Sequence, residues 1–151
     1  MKSVPLSDEH ARAMLAWAYE PPYDFYDLAA DPDDAKELFD PALRERYRAV
    51  LDDDEELIGF WYLRPRGDEV EVGLGLRPDL TGRSLGTGFV EAELAYARER
   101  WSPGALRLYV AGWNARAIRV YERLGFREVA RQLRSFERFG EVEFVEMERD
   151  A

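Results

Sequence analysis

The stretch from Val70 to Phe126 constrains this chain more than any other. Val70, Val72, Leu74 and Leu76 alternate with Glu69, Glu71, Gly73 and Gly75, the period-two pattern of a strand. Pro78 closes that strand, because it has no N–H to give to a ladder. Residues Thr81 to Gly88 are then dense in glycine and hydroxyl side chains. After them Leu85, Phe89, Val90, Leu94, Ala97 and Trp101 recur at helical spacing, with Glu91, Glu93, Arg98 and Glu99 between them on what reads as the polar face. The segment is a strand, a glycine-rich turn and an amphipathic helix. A turn of this kind leaves several backbone N–H groups unpaired at the mouth of the helix, which makes a site for an anion, most often a phosphate.

Two common phosphate loops do not fit. A P-loop needs Lys-Ser or Lys-Thr after its last glycine, and Gly88 is followed by Phe89. A dinucleotide fingerprint needs three spaced glycines directly after the strand, but Pro78 to Leu80 intervene and the third glycine is missing. Arg83-Ser84-Leu85-Gly86-Thr87-Gly88 instead matches the pattern [QR]-x-x-G-x-[GA]. A second register, Thr81-Gly82-Arg83-Ser84-Leu85-Gly86, keeps a shorter distance from the strand and puts Ser84 where the pattern has its first glycine. Downstream, Leu106, Leu108 and Val110 mark a short strand. Then Asn114, Ala117, Tyr121, Gly125 and Phe126 stand at the spacing N-x-x-A-x-x-x-Y-x-x-x-G-F. Asn114 suits a helix N-cap, and Tyr121 lies two turns further on nearly the same face.

Together these motifs resemble the GCN5-related N-acetyltransferase (GNAT) family, closely over Glu56 to Arg131 and by element order elsewhere. The resemblance implies an α+β domain with the GNAT-type acyl-CoA N-acyltransferase fold, a mixed central sheet of about seven strands with about four helices. It implies acetyl-CoA as cosubstrate, with no metal. Its pyrophosphate would meet the backbone of Gly82, Arg83, Ser84, Leu85, Gly86 and Thr87. Its pantetheine arm would meet Leu74, Gly75 and Leu76, where the fourth and fifth strands splay, and Asn114, Ala117 and Tyr121 beside it. The second register is preferred, because it starts the helix at the family's usual distance from the strand.

The activity implied is acetyl transfer to a primary amine, of a small molecule, by direct attack in a ternary complex. Tyr121 matches the family's general acid for the departing thiolate. Glu71 is the first choice of base, acting through water, with Glu69 on the same strand face. Tyr23, Phe25 and Tyr26 fall in the segment that forms one wall of the family's acceptor pocket. A silent acetyl-CoA-binding sensor of the same fold, and an acetyltransferase acting on a protein amine, are the alternatives. A longer acyl donor and a homodimer are also compatible with the resemblance.

Composition narrows the remaining classes. A chain of 151 residues suits a single domain, 1–151, with a core that needs no staples. There is no cysteine, which excludes disulfides and a cysteine nucleophile, and His10 is the only histidine. A net charge of −10 opposes nucleic-acid binding, which needs positive charge to displace counterions. No apolar run approaches the roughly 18 residues of a membrane span, so a cytoplasmic protein with no membrane partner is expected.

In chain order, Ser3 to Leu6 read as an edge strand and Ser7 as the cap of a helix that Pro21 and Pro22 end, with Ala11, Met14, Leu15 and Ala18 buried. Asp31 to Asp40 read as an acidic second helix. Arg46 to Leu51, Leu57 to Leu63 and the Val70 strand read as an antiparallel meander, with a turn at Pro65 to Asp68. Arg131 to Phe139 and Glu141 to Glu148 read as a closing hairpin around Gly140.

Overall fold

The computed structural model describes residues 1–151. Its strands are β1 (Lys2–Pro5), β2 (Tyr47–Leu51), β3 (Leu57–Arg66), β4 (Glu69–Leu76), β5 (Ala105–Ala111), β6 (Arg127–Phe136) and β7 (Gly140–Asp150). Its α-helices are α1 (Asp8–Leu15), α2 (Pro32–Phe39), α3 (Pro41–Arg44), α4 (Gly86–Trp101) and α5 (Ala115–Arg123). The strands form one mixed sheet in the order β1-β2-β3-β4-β5-β7-β6. The backbone groups into two compact units, Met1–Tyr62 with Leu74–Gly82, and Leu63–Gly73 with Arg83–Ala151.

In the first unit, β1 pairs antiparallel with β2 from Lys2 opposite Leu51 to Pro5 opposite Arg48. β2 pairs antiparallel with β3, with a register shift between Val50 and Leu51. Ser7 caps α1 reciprocally: its hydroxyl accepts from the His10 N–H, and the Ser7 N–H donates to His10 Nδ1. The single histidine is therefore spent on a capping box. Helix α1 ends at Leu15, well before Pro21, and Ala18 is exposed. Beyond Leu15 the chain turns so that the Tyr19 N–H donates to Asp27 Oδ1 at 2.9 Å, while Trp17 packs on Phe60. Asp31 caps α2, and Asp40 caps an extra helical turn, α3, that the acidic run conceals in the sequence. Leu6, Ala11, Met14, Leu38, Tyr47 and Ala49 make the core here, with Phe60 and Tyr62 packed against it.

Strand β3 continues through Pro65 to Arg66, and the turn is confined to Gly67, at φ +60°, and Asp68. The expected stop at Pro65 is wrong. Pro65 and Arg66 are exposed, and a strand end in solvent tolerates a residue without an N–H.

In the second unit, β4 pairs in parallel with β5 only from Glu69 opposite Ala105 to Glu71 opposite Arg107. Strand β5 runs on to Ala111 and pairs antiparallel with β7 along its whole length. The closing hairpin turns near Gly140, at φ +71°. β6 starts at Arg127, directly after Phe126 as the motif spacing suggests and ahead of the Arg131 expected for the closing hairpin, and is exposed on both faces up to Ser135. That two-sided exposure explains why its charged sequence shows no strand alternation. Helix α4 buries Phe89, Val90, Leu94 and Ala97.

At the end of β4, in the first unit, the backbone of Gly75 lies against the Phe60 ring, and a methyl there would occupy the ring's space. Phe60 is itself held by Trp17 and Tyr47, so it has little room to retreat. Gly75→Ala is expected to destabilise the protein by about 1–3 kcal/mol, measured as a lower urea midpoint. An unchanged midpoint would show that the ring moves freely.

Candidate functional site

The turn before α4 is built for left-handed backbone. Gly82 has φ +74° and Ser84 has φ +60°. The second value is unusual for a residue with a Cβ and costs about 1 kcal/mol. A glycine would sit at Ser84 without that strain, which is the feature the Thr81–Gly86 register anticipates. Leu85 is the N-cap residue and no side chain caps the helix. The other four α-helices are capped by Ser7, Asp31, Asp40 and Asn114. The first intrahelical bond of α4 runs from Phe89 N to Leu85 O, at 3.1 Å. The amides of Gly86, Thr87 and Gly88 precede it in the first turn, at the positive end of the helix dipole.

Helix α5 lies against this first turn. A methyl on Gly86 would come 3.9 Å from Val120 Cγ2, next in sequence to Tyr121. Asn114 is buried, and its side-chain oxygen accepts from the Ala117 N–H at 3.2 Å, so it is a helix cap. Tyr121 is half-buried, with its ring edge-on to Phe126 at 6.0 Å between centroids. Its carbonyl accepts from Leu124 and Phe126, which fixes the helix end at Gly125, φ +91°. Of the residues expected from sequence, Ser84, Leu85, Gly86, Thr87, Asn114, Ala117 and Tyr121 thus lie on α4, α5 and the turn before α4. Arg83 belongs to that turn and is exposed.

The two glutamates proposed as bases differ. Glu69 is gripped by the Arg107 guanidinium, which donates from Nε at 3.0 Å and from Nη2 at 2.9 Å. Those hydrogen bonds hold its carboxyl below the ordinary range. Glu71 has a looser pairing, with Arg66 Nη1 at 4.0 Å. Arg107 also faces Glu146 and Glu148, each at 3.3 Å. Glu69, Glu71, Arg107, Tyr109, Glu146 and Glu148 therefore share one polar face of β4, β5 and β7, with the buried Val70, Leu106, Leu108 and Met147 on the other.

The remaining predicted residues lie in the first unit. Tyr23, Phe25 and Tyr26 are half-buried in a 3-10 turn, with Phe25 edge-on to Tyr26 at 5.2 Å. Leu74, Gly75 and Leu76 end β4. The Leu76 carbonyl accepts from the Tyr19 hydroxyl at 2.6 Å, and the Arg77 N–H donates to Ile58 O at 2.8 Å. Both ends of the Leu76–Arg77 peptide are thereby held. Burial, with Asp27 nearby, pushes the Tyr19 phenol well above its ordinary range, so it remains a donor.

Sequence reasoning missed Tyr19 and misplaced Glu93. Tyr19 lies beyond the helix end, where periodicity says nothing about facing. Glu93 reads as part of the polar face of α4, yet it is fully buried. The one available signal is its position four residues after Phe89 and four before Ala97, on the apolar stripe itself. Its Oε1 accepts from the Gly73 N–H at 3.1 Å, and no protein group bonds its buried Oε2. Burial raises its carboxyl well above the ordinary value of 4.5, with the Gly73 amide opposing this in part.

Residues 4–127 match the family described as Acetyltransferase (GNAT) domain. The chain belongs to the GNAT acetyltransferase family. Within it, the chain is 39% identical over 100 residues to a mycothiol acetyltransferase of Rhodococcus erythropolis, covering 61% of this chain and 32% of that protein. It is 40% identical over 99 residues to the mycothiol acetyltransferase of Streptomyces coelicolor, covering 61% and 29%. The chain thus spans about a third of the length of these relatives. Among solved structures, it matches spermidine N-acetyltransferase from Vibrio cholerae in complex with CoA and spermine, with a TM-score of 0.74 and 19% identity over 99% of this chain and 94% of that one. It also matches the ribosomal-protein-S18-alanine N-acetyltransferase of Escherichia coli, with a TM-score of 0.67 and 20% identity over 99% and 92%. At such identities these likenesses show the GNAT fold. No helix is long and apolar enough to cross a membrane.

Glu93 supplies a stability test. Its raised carboxyl binds a proton in the folded state that the unfolded chain releases above pH 4.5. Folding stability at this site is therefore fully present below pH 4.5 and falls as pH rises toward the folded value. Glu93→Gln needs no proton, so its melting temperature should gain on the parent protein as pH rises above 4.5. A difference that stays flat across that range would show that Glu93 is ionised in the fold.

Proposed function

We propose that this chain transfers an acetyl group from acetyl-CoA to a primary amine of a small molecule, by direct attack in a ternary complex. The observation that carries the reading is the uncapped mouth of α4 behind a turn with left-handed Gly82 and Ser84, in a chain of the GNAT family. Three successive amides with no side-chain cap, at the positive end of a helix dipole, suit a pyrophosphate. The names of the mycothiol acetyltransferases, similar over about 100 residues, support acetyl transfer.

In this reading the pyrophosphate meets Gly82 to Thr87, and the pantetheine arm meets the backbone of Leu74 to Leu76 and the Asn114–Ala117–Tyr121 side of α5. Glu71 takes the proton from the acceptor ammonium through water. It suits this better than Glu69, whose carboxylate is occupied by Arg107. The amine nitrogen then attacks the thioester carbonyl carbon, an N–C bond forms, and a backbone N–H near Leu76 stabilises the oxyanion. The C–S bond breaks and Tyr121 protonates the departing thiolate. The sequence has no cysteine to carry an acyl-enzyme, in keeping with direct transfer. Tyr23, Phe25 and Tyr26 would take the apolar body of the acceptor.

Free-thiol release with acetyl-CoA and about a hundred amines tests this reading. Turnover of small amines supports it. Turnover of peptide amines alone moves the substrate to a protein. Binding of acetyl-CoA without turnover assigns a sensor. In the active case, Tyr121→Phe should lower kcat by about a hundredfold, with acetyl-CoA affinity within about twofold. An unchanged kcat across pH would remove the acid role.

A further inference from the structure

We infer that Glu93 is a positioning residue: it ends the β4–β5 ladder by taking the Gly73 N–H, and so sets the course of the backbone into the segment proposed to hold the pantetheine arm. The inference rests on the acetyl-CoA reading above.

Three observations meet at this point. The parallel ladder stops at Glu71 opposite Arg107, although both strands continue. Gly73, two residues on, gives its N–H to a helix side chain, where an uninterrupted ladder would give it to a strand. The side chain that takes it has no exposed surface. A carboxyl in such a place, flanked on α4 by the buried Phe89, Val90, Leu94 and Ala97, is costly unless it satisfies something. What it satisfies is a backbone donor left over by the departing strand. Leu at this position would fill the space and leave the Gly73 N–H to seek β5 again or stay unpaired.

Because Glu93 is fully buried, it acts through Gly73 and does not itself touch a ligand. Leu74, the first residue proposed to meet the pantetheine arm, is bonded to Gly73. Moving the Gly73 amide moves the start of that backbone template, which changes cofactor binding more than the chemistry at Tyr121.

Three variants separate acceptor, reach and bulk. Glu93→Gln keeps an oxygen at the same reach. Glu93→Asp keeps an acid and withdraws it. Glu93→Leu keeps bulk and removes the acceptor. The expected result is a rise of about tenfold in the acetyl-CoA KM for the Asp and Leu variants, the scale of one lost hydrogen bond, with kcat changed less than about twofold. Gln should restore the parent KM. Equal KM values for Gln, Asp and Leu would overturn the inference, as would a fall in kcat without a rise in KM.

Amide exchange at Gly73, followed by NMR, gives a second readout that needs no turnover. It should be slow in the parent protein and in Glu93→Gln, and faster by about tenfold in Glu93→Asp. Equal exchange in all three would overturn the inference even if one variant folds poorly. A parent protein that fails to bind acetyl-CoA would sink the proposed function alone, while the exchange rates still decide what Glu93 holds.

Discussion

The bond from the Gly73 N–H to Glu93 is the constraint on which the C-terminal unit turns. Parallel strands satisfy each other's backbone groups, and nothing in a run of Val, Leu and Gly tells two of them to stop pairing. Here the pairing stops after Glu71, and the first donor beyond it is met by a carboxyl from α4. A fully buried carboxyl loses its hydration, and this one has no cation to compensate it. Burial pushes it toward the neutral form, and a neutral acid beside an amide is a tolerable occupant of an apolar interface. The strand departs because the helix has an acceptor waiting for it.

The same helix begins without a side-chain cap. Four α-helices have their first-turn amides met by side chains, whereas α4 starts from a strained turn with no such partner. The chain carries a net charge of −10, so an anion site built from side-chain cations would have to work against its own surroundings. One built from backbone amides and a helix dipole is short-ranged and depends little on net charge. Excess carboxylates collect elsewhere, four of them around Arg107 and Tyr109 on the polar sheet face. Arg107 occupies Glu69 there, while Glu71 pairs with Arg66 at 4.0 Å.

Much of this was legible in the chain. The caps at Ser7 and Asn114, the stop at Pro78 and the hairpin glycine at 140 are local effects, set by groups within a few residues of each other. That Ser84 stands where the loop pattern has a glycine was legible as well, whereas the strain there shows only in the folded backbone. What was illegible depended on partners far away in sequence. Helix α1 stops early where Trp17 packs on Phe60 and Asp27 takes the Tyr19 amide. Strand β6 hides its identity because neither of its faces is covered. Glu93 looks like a surface residue, and only its place on the apolar stripe hints otherwise.

The sequence by itself determined the order of the strands and longer helices, the glycine-rich entry to α4 and the Asn114-to-Phe126 spacing, since each follows from backbone sterics, periodicity and capping over short range. The tertiary structure decided which donors and acceptors those elements share. It chose Glu69 over Glu71 as the partner of Arg107, Tyr19 as the clamp on Leu76, and Glu93 as the acceptor for Gly73. Hydrogen bonds between residues 20 to 57 positions apart leave no periodic trace, so only the folded chain reveals them.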